Sequence, residues 1–239
     1  QTVAQTSKLA ALGEMSAAVS HELNQPLAAM KTYLAGARLL IARERPDEAV
    51  VAVQRIDSLI ERMGAITKQL KSYARKGSNS LAPVDVKDAV LSSLAMMEPQ
   101  LRQRQVVITR TLPDHSVMTY GDRMRLEQVI INLLRNALDA TKMSPEPNIE
   151  ILLAQGDVVR LTVRDNGTGI EDLDEMFEPF YTTKEAGDGT GLGLAISSGI
   201  VNDFGGRLTA RNSDAGGAVF EVELPILGPE IYNDVEAAE

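Results

Sequence analysis

Ser20-His21-Glu22-Leu23-Asn24-Gln25-Pro26-Leu27 places one of the chain's two histidines inside an apolar repeat, and the register of that repeat decides the fold of the first third of the chain. Leu9, Leu12, Ser16, Val19 and Leu23 recur at spacings of three and four, as along a coiled-coil seam. His21 falls on the opposite face, so its imidazole is predicted to meet solvent or a partner rather than a core. The seam continues through Leu27, Met30, Leu34, Ala37 and Leu40 or Ile41, which predicts one helix over residues 7–43. Pro26 lacks the amide proton and crowds the carbonyl of Glu22, so a kink or local loosening is expected one turn beyond His21.

Arg45-Pro46-Asp47-Glu48 reads as a helix restart, with proline in the first turn and two acids near the positive end of the dipole. Val53, Ile56, Ile60, Met63, Thr67, Leu70 and Ala74 then carry a second apolar stripe, predicting a helix over residues 47–76. Two such helices form an antiparallel hairpin. Its stripes are longer than one hairpin can cover, so a homodimeric four-helix bundle is expected. Residues 77–83, Gly77-Ser78-Asn79-Ser80-Leu81-Ala82-Pro83, read as a linker and domain boundary.

The composition narrows the function classes. Among 239 residues there is no cysteine, which removes thiolate chemistry, disulfides and Cys-ligated metals, and fits a reducing cytoplasm. No run of eighteen apolar residues and no secretory signal pattern occurs, so no direct membrane contact is expected of this stretch. The chain starts inside the heptad pattern, which suggests a piece cut from something longer. Residues 1–80 carry a net charge of +4 and residues 81–239 a net −13, together −9. That asymmetry argues for two domains, and the acidic larger part argues against nucleic acid as a ligand.

After the linker the periodicity changes. Asp85 opens a helix through Val86, Val90, Leu94, Met97 and Leu101, followed by strand-like runs at Val106–Leu112 and Val117–Tyr120. Asp122–Lys142 reads as an amphipathic helix, Ile149–Ala154 and Val158–Arg164 as strands, Leu192–Phe204 as a helix, and Arg207–Arg211 with Ala218–Leu224 as a hairpin. The sum is an α/β sandwich over residues 84–228, with an acidic, frayed tail at 229–239.

Chemistry concentrates between residues 122 and 194. Asn132 and Asn136 sit one turn apart on one helix face; asparagine is a mediocre helix former, so the pair reads either as two surface amides or as an amide oxygen completing an octahedral Mg²⁺ shell. Asp165-Asn166-Gly167-Thr168-Gly169-Ile170 closes a strand. It is either an ordinary turn or a carboxylate placed to accept a hydrogen bond from an exocyclic amine such as adenine N6. Gly187, Gly189, Gly191 and Gly193 alternate into the start of a helix, either a mobile linker or a phosphate cradle, without the Walker spacing. Phe177-Glu178-Pro179-Phe180-Tyr181-Thr182-Thr183-Lys184 lies between them as an aromatic-anchored segment whose Lys184 can reach a terminal phosphate.

His21–Leu27, Asn132 with Asn136, Asp165-x-Gly167-x-Gly169, Phe177–Phe180 and Gly189-x-Gly191-x-Gly193, in this order, resemble the H, N, G1, F and G2 boxes of bacterial sensor histidine kinases. The surrounding text, including Ala11–Met15 and Ile66–Lys76, is most similar to the C4-dicarboxylate transport sensor kinases, the DctB group. The resemblance implies a dimeric helical hairpin followed by a Bergerat-type (GHKL) ATP-binding sandwich. It also implies an ATP- and Mg²⁺-dependent kinase of a two-component system, acting as the cytoplasmic portion of an inner-membrane sensor and handing phosphate to an aspartate of a response-regulator receiver. Residue by residue, it makes His21 the phosphoacceptor, Glu22 its general base, Asn136 the Mg²⁺ ligand assisted by Asn132, and Asp165 the adenine contact. Arg135, Gly167, Gly169, Ile170, Thr183, Lys184, Gly189, Thr190, Gly191, Leu192, Gly193 and Leu194 would complete the ATP pocket and its lid. Gln25 stands where many relatives have Thr or Asn to orient water for phosphatase activity, which leaves that activity open. A GHKL-type ATPase and a non-catalytic dimerisation scaffold are the alternatives. Asn132 occupies the place of the ATPases' water-activating glutamate and cannot take a proton from water.

Overall fold

The computed structural model describes residues 23–74, 81–179, 181–183 and 191–227. Expectations that concern His21, Glu22, Phe180, Lys184, the lid glycines Gly187 and Gly189, Thr190 and the tail from residue 228 fall outside them. The chain divides into two compact units, one built on the helices up to residue 76, the other on residues 77–183 and 191–239.

In the first unit residues 23–42 are helical (α1) and Pro46–Ala74 form α2. α1 runs through Pro26, whose side chain is buried; the Glu22 carbonyl that proline should crowd lies outside the described residues. The turn between the helices is a Schellman motif. Arg45 N–H donates to Leu40 O at 2.9 Å and Glu44 N–H to Ile41 O at 3.0 Å, with Glu44 left-handed at φ 59°. Pro46 then starts α2, Asp47 and Glu48 occupy its first turn, and Arg45 closes on Glu48 Oε1 at 2.5 Å. Glutamate is a strained choice at Glu44, because a Cβ in the left-handed region costs roughly 1–2 kcal/mol, partly offset by the freer unfolded chain of glycine. Glu44→Gly should therefore stabilise the hairpin by up to about 1 kcal/mol, read as an increase of up to ~5-fold in amide-exchange protection confined to α1 and α2.

Ala37 and Ala49 are the buried contacts near the turn, and farther along Arg55 Nη1 donates to Tyr33 Oη at 3.0 Å with its guanidinium 5.5 Å from the ring centroid. The expected single seam separates into two flanks. Met30, Tyr33, Ala37 and Leu40 are covered within the hairpin, whereas Leu27, Leu34 and Ile41 are 44%, 53% and 61% exposed, with Val53 and Ile60 likewise open on α2. One partner helix can cover only one flank, so spacings of three and four merge two stripes that packing distinguishes.

The second unit is a five-stranded sheet in the order β2-β4-β5-β7-β6, made of Val107–Thr111 (β2), Asn148–Gln155 (β4), Val158–Asp165 (β5), Arg207–Asn212 (β6) and Ala218–Pro225 (β7). β2 is parallel to β4 and every other pairing is antiparallel. Val86–Gln103 (α3), Arg123–Ala140 (α4) and Gly193–Asp203 (α5) form the helical layer, with α4 in contact with both other helices and with β5. Leu126, Ile130, Leu133 and Leu134 of α4 and Ile149, Ile151 and Leu161 of the sheet are fully buried. The opposite sheet face is polar, laddered by Arg160 against Glu221 at 3.2 Å and Glu223 at 2.5 Å.

The expected linker ends sooner than residue 83. Ala82–Asp85 form β1, antiparallel to β3 (Met118–Gly121), with Pro83 opposite Tyr120. Proline is tolerated there because a two-stranded ribbon is all edge. Asp85 caps α3 as expected, its Oδ1 accepting from Lys87 N–H at 3.0 Å, and it also takes Val117 N–H at 3.2 Å. Among the described residues no helix is long and apolar enough to cross a membrane.

Candidate functional site

Asp165 ends β5 with only 2% of its surface exposed. Its Oδ1 accepts from Gly167 N–H at 2.8 Å and Ala218 N–H at 3.3 Å. Burial pushes this carboxyl above the usual aspartate range, and the two amides pull part of the way back.

The Asn166–Ile170 loop is then fastened on two sides. Toward the end of α4, Asn166 Nδ2 donates to Glu146 O at 2.8 Å, its Oδ1 accepts from Asn148 N–H at 2.9 Å, and Thr168 N–H reaches Ala140 O at 3.3 Å. Gly167 lies so close to α4 that a Cβ would stand 2.4 Å from Ala140 C and O, which requires glycine there. Toward the β6–β7 hairpin, Asn212 Oδ1 accepts from Ile170 N–H at 2.7 Å while its Nδ2 donates to Ile170 O at 2.9 Å.

α4 supplies the next wall. Asn132, Asn136 and Ala140 follow one another by single turns on one face. Asn132 Nδ2 donates to Gly193 O and Ser197 Oγ, both at 3.2 Å, which fastens the start of α5 to α4. Gly193 O can only accept, so the amide nitrogen must face it and Oδ1 is turned away. Ala140 holds the Gly167–Thr168 turn. The side-chain amide of Asn136, half-buried between these junctions, makes no hydrogen bond among the described residues. At α5 the N-cap position is Leu192 and no side chain caps the helix, so the first turn presents backbone amides and the positive end of a dipole. Gly191 supports this approach at φ 63°, with Leu192 buried and Gly193 and Leu194 half-buried.

The second unit thus brings together Asn132, Asn136, Asp165, Gly167, Gly169, Ile170 and the Gly191–Leu194 turn. Arg135 and Thr183 are exposed, and Gln25 is exposed on α1 of the other unit. Of the aromatic-anchored segment, Phe177 is half-buried next to the buried Met176 and Phe180 lies outside the described residues, while Asp172 Oδ1 caps the preceding turn by accepting from Asp174 and Glu175 N–H. Asn212, Ser197 and Gly217 went unnoticed in the sequence. The Gly216-Gly217 pair signalled only a turn, and a strand-end asparagine or a helical serine carries no signal of its own.

Residues 11–79 match the His Kinase A (phospho-acceptor) domain, and residues 121–228 match the family of histidine kinase-, DNA gyrase B- and HSP90-like ATPases. The catalytic domain of the histidine kinase ThkA is 30% identical, with a TM-score of 0.55 over 61% of this chain and 95% of that one. The chain belongs to the histidine kinase family. The C4-dicarboxylate transport sensor protein DctB of Rhizobium meliloti is 40% identical over 94% of this chain, which spans 36% of that protein's length. A structure of ThkA in complex with the response regulator protein TrrA shares the fold, with a TM-score of 0.72 over 94% of this chain at 24% identity. In this histidine kinase the ATPase match begins at Gly121, yet β1, α3 and β2 belong to the same compact unit.

Proposed function

We propose that this chain is the catalytic core of a sensor kinase that binds ATP, transfers its γ-phosphoryl group to His21 and passes it to an aspartate of a response-regulator receiver. The observation that carries this reading over ATP hydrolysis is Asn132. A GHKL-type ATPase needs a base at that position to activate water; here an amide stands there, committed to Gly193 O and Ser197 Oγ. Intact adenine, phosphate and metal positions weigh against a non-catalytic scaffold.

Asp165 accepts the adenine N6 amine through Oδ2, with Oδ1 held by two backbone amides. The amides of α5's first turn, around Gly193 and Leu194 with Gly191 before them, take phosphate oxygens, with Thr183, Lys184, Gly189 and Thr190 closing over them. The donors suit Mg²⁺. Among the described residues no three acids or histidines cluster to cage a cation. The Asn136 oxygen, assisted by that of Asn132 one helical turn away, would give the neutral oxygen ligands that a phosphate-bound Mg²⁺ accepts. When bound, Mg²⁺ offsets charge on the transferring phosphoryl group. Glu22 holds the proton on His21 Nδ1 so that Nε2 attacks phosphorus in line as the bond to ADP breaks. The open flank of Leu27, Leu34, Ile41, Val53 and Ile60 supports a homodimer, and the regulator-bound relative supports a receiver as partner. The chain's share of its relatives' length supports a cytoplasmic kinase portion of a membrane-anchored sensor.

Incubation with γ-labelled ATP and Mg²⁺ tests this reading. Acid-labile, alkali-stable label should accumulate on the chain and pass to receiver domains; steady phosphate release without labelled protein would mark an ATPase instead. Asp165 provides a second test. Because its folded pKa is raised, the burial penalty is present at neutral pH and disappears as pH falls through the raised value toward the ordinary one. Asp165→Asn removes that penalty and keeps an acceptor for both amides, so its melting temperature at pH 7 should match or exceed the parent's. It presents a donor to the N6 amine, so ADP affinity should fall by about tenfold or more. Calorimetry and thermal unfolding in one buffer check both signs.

A further inference from the structure

We infer that Asn212, at the end of β6, is a positioning residue for nucleotide binding: its side-chain amide forms a two-point clasp on the backbone of Ile170 that sets the adenine-facing loop against Asp165. The inference rests on the nucleotide reading above. Asn212 Oδ1 accepts from Ile170 N–H at 2.7 Å and Nδ2 donates to Ile170 O at 2.9 Å, so one planar group fixes both polar atoms of a single residue. Asparagine suits this role because it carries an acceptor and a donor on the two arms of one planar fork. The same oxygen lies 2.9 Å from where a Cβ on Gly169 would stand, and Gly169 is left-handed at φ 78°. The loop is thus drawn against Asn212 at a glycine that permits close approach.

The clasp also links to the reading carboxylate. Asn212 is paired with Ala218 across the β6–β7 hairpin, and Ala218 N–H is one of the two amides holding Asp165 Oδ1. The hairpin therefore grips the nucleotide loop at both ends, at Asp165 through a main-chain amide and at Ile170 through the side chain of Asn212. The phosphate side, at the start of α5, is fastened separately through Asn132 and Ser197. Loosening the clasp should degrade recognition of the base while sparing the phosphate cradle.

The test compares Asn212→Ala with the parent chain and with Arg211→Ala, an exposed neighbour on the same strand. Losing two hydrogen bonds should weaken ADP binding by roughly 10- to 30-fold. It should lower the preference for ADP over GDP by a similar factor and speed hydrogen exchange at the Ile170 amide, with Arg211→Ala unchanged in all three. A lowered melting temperature with ADP affinity and base preference intact would overturn the inference, because a merely structural role moves only the first. Should Asn212→Ala fail to fold, Asn212→Asp keeps the acceptor for Ile170 N–H, loses the donor, and is judged by the same readouts. If the parent chain itself binds no ADP, the nucleotide reading fails first and the positioning role falls with it.

Discussion

His21→Gln should take no label from γ-labelled ATP while binding ADP within about twofold of the parent chain. The two halves of this expectation follow from different facts. Glutamine keeps polarity and approximate length but offers an amide nitrogen whose lone pair is delocalised, so it has no nucleophile to replace Nε2; no neighbouring base can restore one. The chain's other histidine, His115, does not substitute: it belongs to the second unit and its Nε2 lies 2.9 Å from Gln155 Oε1. Nucleotide affinity is spared because Asn132, Asn136, Asp165 and the Gly191–Leu194 turn, which carry the proposed adenine, metal and phosphate contacts, all lie within the second compact unit. Acid-lability of the label in the parent, scintillation counting of the variant and calorimetry with ADP measure all three quantities. Label retained in His21→Gln would move the phosphoacceptor elsewhere; affinity lost with the label would mean that the substitution acts on the nucleotide site.

Apolar periodicity predicted the elements of the second unit to within a few residues, because each one buries a single face. α4 is the clearest case: Leu126, Ile130, Leu133, Leu134 and Leu138 recur at helical spacing and all are buried. Asp165 at the end of a strand was likewise readable, since Val158–Arg164 alternates until it. Two kinds of feature were not. β1 carries a proline and an exposed Ala82, so its pairing with β3 comes from an edge ribbon that leaves no alternation to detect. The second kind is contact between segments distant in sequence. Nothing in Asn212 announces Ile170, and nothing in Asn132 announces Gly193 and Ser197; these partners meet only once the sheet and helices are assembled. In the hairpin the sequence pattern merged two apolar flanks, since spacing alone does not say which side the partner helix takes.

Gly217→Ala should destabilise the second unit by about 3 kcal/mol or more and abolish measurable ADP binding, although Gly217 is proposed to touch no ligand. Gly217 is left-handed at φ 81°, which alone costs a residue with a Cβ about 1–2 kcal/mol. The larger effect is collision. A Cβ there would lie 1.9 Å from Asp165 O, 2.7 Å from Asp165 C and 2.8 Å from Asn166 Cα, all backbone atoms that cannot swing aside. Either the end of β5 or the β6–β7 hairpin must move, and either motion pulls Ala218 N–H away from Asp165 Oδ1 and disturbs the Arg164–Val219 pairing. Gly216→Ala separates the two contributions. Gly216 has the same kind of backbone, φ 89°, but a Cβ on it meets nothing within 4 Å. That variant should lose only the ~1–2 kcal/mol of left-handed strain and keep its nucleotide affinity. Chemical denaturation followed by β-sheet circular dichroism, with ADP calorimetry alongside, distinguishes them: equal losses of stability in the two variants would show that strain, rather than the close approach of Gly217 to the carboxylate's own backbone, is what glycine is needed for.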